Sequence, residues 1–258
     1  MGVEVYRDCR IDGHIETGIG KDMASVGRAY RIVKNGGQLL RNRRLLRLAG
    51  SFRRKSDMVL VLDMDECLIH SQFLSNTEYR QDEYRPSAIS KSVESFRIEL
   101  PDGDLVQVNK RPGLDEFLQT VTSKFETHIF TAAMEVYASP VLDCLDPDKT
   151  MLGKRFYRES CSLNSELGVY VKDLSKILDD VDHKRVVLVD NNPLSFLAQP
   201  SNGILVSNFY DSPDDITLKA VVDLLEKLDN KNDVRPTLDD MFGLSAALAE
   251  LQGRPQRM

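Results

Sequence analysis

The chain has 258 residues, 41% of them hydrophobic, and a formal net charge of −6. That length and apolar content fit a globular fold with a substantial core and exclude a disordered chain. No apolar run nears the ~18 to 20 residues needed to cross a membrane.

The charge is unevenly spread. Ser25–Ser56 holds ten Lys or Arg and no acid, which leaves 24 basic and 40 acidic residues, or −16, elsewhere. Residues 1–55 read as a basic extension interrupted by Gly20, Gly27, Gly36 and Gly37. Its opening, MGVEVYRDCRIDGHIE, carries early acids and no apolar signal core, which argues against a secretory or mitochondrial leader. Tyr6 stands where a myristoylation pattern needs Ser or Thr. Gln38–Gly50 predicts a short basic helix. It suits a nuclear import signal, an RNA or membrane-surface contact, a docking arm, or simply a solvated helix.

The pattern then changes, and a folded domain is expected over residues 56–238. Met58–Leu62 (MVLVL) predicts a strand buried on both faces. Phe96, Ile98 and Leu100 alternate, Pro101-Asp102-Gly103 turns, and Leu105, Val106 and Val108 return, as in a β-hairpin. Leu114, Phe117, Leu118, Val121 and Phe125 keep helical spacing after Pro112-Gly113. Glu126–Ala132 predicts a second core strand, Lys184–Asn192 a third and Gly203–Asn208 a fourth. Helices are expected at Tyr137–Leu145, Val171–Leu178, Pro193–Gln199 and Leu218–Leu228. Residues 239–258 read as a C-terminal helix and tail, the amphipathic stretch running from Leu238 to Leu251. Strands alternating with helices imply an α/β fold: a Rossmann-like parallel sheet with helices on both faces. The β-hairpin is a small insertion, and no large cap domain is expected.

Ligand sites in such sheets gather beyond the carboxyl ends of the strands. Those ends supply Asp63 and Asp65, then Thr131, then Asp190 and Asn191; Lys172 stands just before the third core strand. Close carboxylates repel unless a cation lies between them. Mg²⁺, a hard ion served by a few oxygens, meets that need, and a lysine and a hydroxyl remain for phosphate oxygens. This is equipment for phosphoryl transfer. Taken singly, each residue also has a plain structural reading: a strand-end cap, a strand hydroxyl, a surface lysine, a turn after a strand. The four cysteines (Cys9, Cys67, Cys144, Cys161) form no CxxC pair and suit reduced thiols in an intracellular protein, nuclear or cytoplasmic. No HExxH, Cys-x5-Arg or GK[ST] pattern offers a zinc, cysteine-phosphatase or P-loop alternative.

VLDMDECL resembles the DxDx[T/V] signature of the haloacid dehalogenase superfamily. NKRPGLDEFL, FETHIFTAAMEVYASPVLDCLDP, RFYRESC, YVKDLSKI and VLVDNNPLSF follow in an order similar to the small C-terminal-domain and FCP-like (NLI-interacting-factor-like) phosphatases, over about Val59 to Leu238. The resemblance implies a haloacid dehalogenase-like fold and a Mg²⁺-dependent phosphoserine/phosphothreonine protein phosphatase. It implies Asp63 as the nucleophile that becomes aspartyl-phosphate and Asp65 as the general acid, then base. Asp63, the backbone carbonyl of Asp65 and Asn191 would hold Mg²⁺, with Asp190 adjacent. Thr131 and Lys172 would bind phosphoryl oxygens, and Arg158 would stand at the substrate side. Phe73, Met134 and Tyr137 would form an apolar rim able to receive a proline. The implied partner is a phosphorylated protein or peptide, with the RNA polymerase II tail the family's best-known substrate, acted on by a monomer. Alternatives are a non-catalytic binding protein, as in import-receptor relatives of the fold, and a small-molecule phosphatase. Cys67 departs from the signature, and Asn164–Gly168 is about two residues longer than expected.

Overall fold

The computed structural model describes residues 55–74, 93–178 and 181–252. The basic helix expected at Gln38–Gly50 lies outside them. The main sheet has five parallel strands in the order β10 (Gly203–Leu205), β9 (Val186–Asp190), β1 (Val59–Leu62), β5 (Glu126–Phe130) and β6 (Arg155–Phe156). In register, Leu62 faces Ile129 on one side and Val189 on the other. The three central strands therefore end at one level, and the residues that follow them, Asp63, Thr131 and Asn191, leave the sheet along one edge.

Strand alternation divides the core in two. Leu60, Leu62, Val187, Val189 and Ile129 face one side, against α1 (Leu114–Lys124), α2 (Glu135–Leu145) and α3 (Thr217–Asp229). Val59, Val61, Val186, Leu188 and Phe130 face the other. There, the cover is Leu174, Ile177 and Leu178, Phe196, and Leu244 and Leu248. Both faces are thus covered, but the second by 3-10 turns and one C-terminal helix.

Local chemistry explains where the elements differ from expectation. Val171–Leu178 is not a helix: β8 (Val169–Val171) ends there and a 3-10 turn, Leu174–Lys176, follows. Asp173 accepts from the Ser175 N–H and Gln199 Oε1 from the Leu174 N–H, side-chain bonds that compete with helix continuation. Pro193–Phe196 is likewise a 3-10 turn, capped by Asn192 accepting from the Leu194 N–H. The long C-terminal helix breaks at Gly243, whose φ of 60° suits glycine, into α4 (Arg235–Phe242) and α5 (Leu244–Gln252).

The insertion after β1 is a three-stranded antiparallel sheet in the order β2 (Ile69–Leu74), β4 (Leu105–Lys110), β3 (Ser95–Glu99). The β3–β4 hairpin is as the alternation predicts, with Gly103 at φ 88° in its turn. Among the described residues nothing larger stands over the carboxyl edge. The remaining pair, β7 (Ser162–Asn164) with β8, forms a small hairpin whose turn holds the longer segment ending at Gly168.

Candidate active site

Asp63 continues the β1 ladder by one residue, its N–H donating to the Val189 carbonyl at 2.9 Å. This fixes a carboxylate that is 6% exposed. Lys172, 2% exposed, is anchored by its own N–H to the Ser195 carbonyl (3.0 Å). Its Nζ bridges Asp63 Oδ1 and Asp190 Oδ2, the latter at 2.5 Å. Asp190 Oδ1 accepts from the Asn192 N–H at 2.7 Å, so both Asp190 oxygens already have protein donors. Asp190 therefore holds the lysine, and the third oxygen beside Asp63 comes from Asn191. Burial, then Asp190, push the Asp63 carboxyl up to about 8, with Lys172 opposing them. Burial alone would lower Lys172, but Asp190 and Asp63 outweigh it and hold the ammonium charged. Two carboxylates share one cation here, a deficit that a further positive charge would relieve.

The Asn191 side chain brings a third group to Asp63 and Asp65. Its Nδ2 donates to Asn208 Oδ1 at 3.1 Å. The amide oxygen then faces Asp63 Oδ2 at 3.1 Å and the Asp65 carbonyl oxygen at 3.2 Å. Three acceptors meet with no proton between them. Either the amide turns end for end and donates to both, or a cation sits among the oxygens. The oxygen spacing matches two ligands of an octahedral ion at ~2.0 to 2.1 Å. These are hard oxygen donors, so the set fits Mg²⁺. Asp65 contributes its backbone oxygen, as the resemblance implies, and its carboxylate turns elsewhere.

That carboxylate receives the Tyr137 phenol, Oη to Oδ1 at 2.5 Å. Ser71 Oγ lies 2.5 Å from the same phenol oxygen. One phenol proton cannot serve both, so it goes to the carboxylate and the Ser71 hydroxyl donates to the phenol. Burial lifts Asp65 to about 6, with the Tyr137 hydrogen bond opposing it. Burial and the Asp65 charge push the phenol well above its usual value, so it stays a donor. A carboxyl near 6 is suited to giving and taking a proton at neutral pH.

Thr131, 1% exposed, accepts from the Ala133 N–H at 3.0 Å and keeps its own proton to donate. Arg158 has no ion pair among the described residues. Its Nε donates to the Ala132 carbonyl (2.6 Å) and its guanidinium lies over the Tyr170 ring at 5.2 Å.

The family model of NLI interacting factor-like phosphatases matches residues 58–235. The chain belongs to that family. It is 38% identical over 183 residues to CTD nuclear envelope phosphatase 1 of Xenopus laevis, covering 70% of each chain. It is 39% identical over 181 residues to a probable C-terminal domain small phosphatase of Dictyostelium discoideum, covering 70% of this chain and 54% of that one. A solved structure of Fcp1, described as an essential RNA polymerase II CTD phosphatase, aligns with 85% of this chain and 59% of that one. At 20% identity and a TM-score of 0.47, that likeness carries no further argument.

Of the three residues expected at an apolar rim, Phe73 and Met134 are 59% and 53% exposed. The Tyr137 ring lies tilted beside Phe73 (centroids 5.8 Å apart), and its hydroxyl donates to Asp65. Cys67 is buried, its thiol against the Val189 carbonyl at 3.8 Å. Burial and then Asp63 raise it far above a reactive range. Its place in the signature is filled as a small apolar residue.

Sequence reasoning passed over Arg111. It is fully buried and donates to the Cys67 carbonyl (2.8 Å), Ser207, Thr217 and both oxygens of Asp215. It thereby ties the loop after β1 to the start of α3. That loop turns tightly, with Glu66 at φ 52°, a left-handed value that a non-glycine residue rarely holds. The motif NKRPG contained Arg111, but nothing in the string distinguishes a buried rivet from a surface arginine. Asn208, Tyr210 and Ser71 were passed over for the same reason.

Proposed function

We propose that this chain is a Mg²⁺-dependent phosphoserine/phosphothreonine protein phosphatase that works through an aspartyl-phosphate on Asp63. The observation that carries the reading is the meeting of Asp63, the Asp65 carbonyl and the Asn191 amide oxygen, with Lys172 across Asp63. Mg²⁺ bound there would supply positive charge to the phosphoryl oxygens during transfer.

The Asp63 carboxylate attacks phosphorus, forming a new O–P bond as the bond to the serine or threonine oxygen breaks. Asp65 gives its proton to that leaving oxygen. The ionised Asp65 then takes a proton from water as the water attacks phosphorus, and Asp63 leaves as a carboxylate. Lys172 holds the Asp63 carboxylate in place, and Thr131 donates to a phosphoryl oxygen. Arg158, held by the Ala132 carbonyl and Tyr170, faces the substrate side as a cation that has no ion pair among the described residues.

The open edge favours a phosphorylated peptide over an enclosed metabolite. Phe73 and Met134 offer it an apolar contact. The relatives' names support a substrate of the polymerase-tail type, and several of them name the nuclear envelope, among them the Xenopus laevis protein. An intracellular, nuclear or perinuclear place of action follows for this chain as part of the same proposal, with residues 56–238 as its phosphatase domain. Among the described residues, no helix is long and apolar enough to cross a membrane.

The test is hydrolysis of a phosphoserine peptide by the purified chain with Mg²⁺ or with EDTA. Activity with Mg²⁺ only, lost in Asp63→Asn, is expected. Activity that survives Asp63→Asn would sink the mechanism. Hydrolysis of a small ester but of no phosphopeptide in a broad panel would overturn the protein-phosphatase assignment.

A further inference from the structure

Metal binding requires the oxygen of Asn191, and not its nitrogen, to face Asp63 and Asp65. The two ends of an amide have nearly the same shape, so the pocket around them does not choose; the choice falls to hydrogen-bond partners. The partner on the far side is Asn208, whose Oδ1 accepts from Asn191 Nδ2 at 3.1 Å. Asn208 Nδ2 in turn donates to Tyr210 Oη at 3.1 Å.

The segment that carries both residues is held at several points. The Val206 N–H donates to the Asp190 carbonyl (3.0 Å), running the chain past β10 alongside the end of β9. The Phe209 N–H donates to the Glu66 carbonyl (2.8 Å) in the loop after β1. Asn109 of β4 donates to the Tyr210 carbonyl (3.3 Å). The Tyr210 ring meets His70 of β2 edge-on, at 5.1 Å and 86°.

We propose that Asn208 is a positioning residue: with its own oxygen turned to Asn191 and its nitrogen to Tyr210, it keeps the Asn191 oxygen facing the cation and so raises the affinity for Mg²⁺. The proposal rests on the metal reading above. The chain of three side chains has two self-consistent states. In one, Tyr210 Oη accepts from Asn208, Asn208 Oδ1 accepts from Asn191, and the Asn191 oxygen is free for the ion. In the other, both amides are turned over: Tyr210 donates to Asn208 Oδ1, Asn208 Nδ2 donates to Asn191 Oδ1, and Asn191 Nδ2 closes the site by donating to Asp63 and the Asp65 carbonyl. Mg²⁺ binds only the first. Because Tyr210 carries a hydroxyl, which both donates and accepts, it permits either state. Because it packs on β2 and β4, it connects the inserted sheet to the ion site.

The test is Mg²⁺ titration by calorimetry of the full-length protein without substrate, using Asn208→Leu and Asn208→Asp. Asn208 is exposed, so neither change burdens the core. The Leu variant removes the acceptor for Asn191 Nδ2, and Mg²⁺ binding is expected to weaken by roughly tenfold, as for other outer partners of metal ligands. Its KM for Mg²⁺ is expected to rise by more than its kcat falls, a split that simple loss of structure would not give. The Asp variant keeps the acceptor and cannot donate, so it is expected to bind Mg²⁺ at least as well as wild type. Wild-type Mg²⁺ affinity in the Leu variant overturns the positioning role and leaves the metal reading standing. Weaker binding by the Asp variant also overturns it, even if the Leu variant fails to fold. No Mg²⁺ binding by the wild-type protein overturns the metal reading and this inference together.

Discussion

The carboxyl edge of the parallel sheet and the antiparallel insertion beside it are built on opposite terms. At the edge, Asp63, Lys172 and Asp190 are 6%, 2% and 1% exposed and each charge touches another. Asp63 and Asp190 stand on strands paired on both sides, and Lys172 is pinned by its own N–H to the Ser195 carbonyl, so each side chain there has one position. The insertion buries one face through Phe96, Ile98, Val106 and Val108 and leaves Phe73 open to water at the end of β2. The buried charges stand where segments are fixed on several sides; the exposed aromatic stands on the sheet with a free face, a division that suits fixed chemistry at the one and a variable contact at the other. The two regions are not independent. Ser71 of β2 supports the Tyr137 phenol, so the insertion reaches the Asp65 carboxylate.

The most severe way to break the edge is to remove its cation. Lys172→Ala leaves two buried carboxylates facing each other. Loss of one partner from a buried ion pair costs about 3–5 kcal/mol. Phosphatase activity is expected to vanish, and a denaturant melt is expected to show the lost stability.

Asp65→Asn separates activity from stability. Activity is expected to fall ~10²- to 10⁴-fold, the usual worth of a positioned acid and base. The folded pKa of about 6 lies above the ordinary carboxyl value, so the fold favours the protonated form. The stability tied to that proton is present below about pH 4 and is lost as pH rises through about 6. The Asn variant cannot ionise, so without Mg²⁺ it should melt higher than wild type at pH 8 and not at pH 4. In the wild-type enzyme, loss of the same proton is expected to make kcat/KM decline on the alkaline side of about pH 6.

Tyr137→Phe tests the link between the two regions. The phenol lowers the Asp65 pKa, so its removal moves the alkaline limb of the pH profile upward. A loss of roughly tenfold in kcat is expected, about one hydrogen bond to a charged group. The ring contact with Phe73 survives. An unshifted limb would show that the phenol does not govern the acid.

The smallest effect belongs to the rim. Phe73→Ala is expected to raise KM for a phosphopeptide about fivefold, about 1 kcal/mol of aromatic contact. A small aryl phosphate should lose less, since it does not reach the rim. Equal loss for both substrates would place Phe73 outside peptide recognition.

Much of the edge was legible in the sequence because a buried parallel strand announces itself as an unbroken apolar run and the chemistry follows it. Asp63, Thr131, Asp190 and Asn191 come directly after such runs. Lys172 was placed at the right site on the wrong element, since VKDLSKIL has helical spacing while its Asp173 side chain favours a turn. IHSQFL gave no strand signal: its polar residues answer to a half-exposed sheet, and its partner β4 lies more than thirty residues on. The hydroxyl of Tyr137, the amides of Asn191 and Asn208 and the guanidinium of Arg111 act through directions set only once distant segments meet. No periodicity encodes them.

Helix α5 bears on the order in which the protein is made. Leu244 and Leu248 help cover the sheet face formed by Val59, Val61, Val186 and Leu188. Each contributes about 1.5–3 kcal/mol by that burial. They follow every strand of the sheet in chain order, so they emerge from the ribosome after it. The parallel sheet can pair and one face can close while part of the other stays wet. The nascent chain would therefore carry an incompletely covered apolar face open to chaperones until α5 emerges.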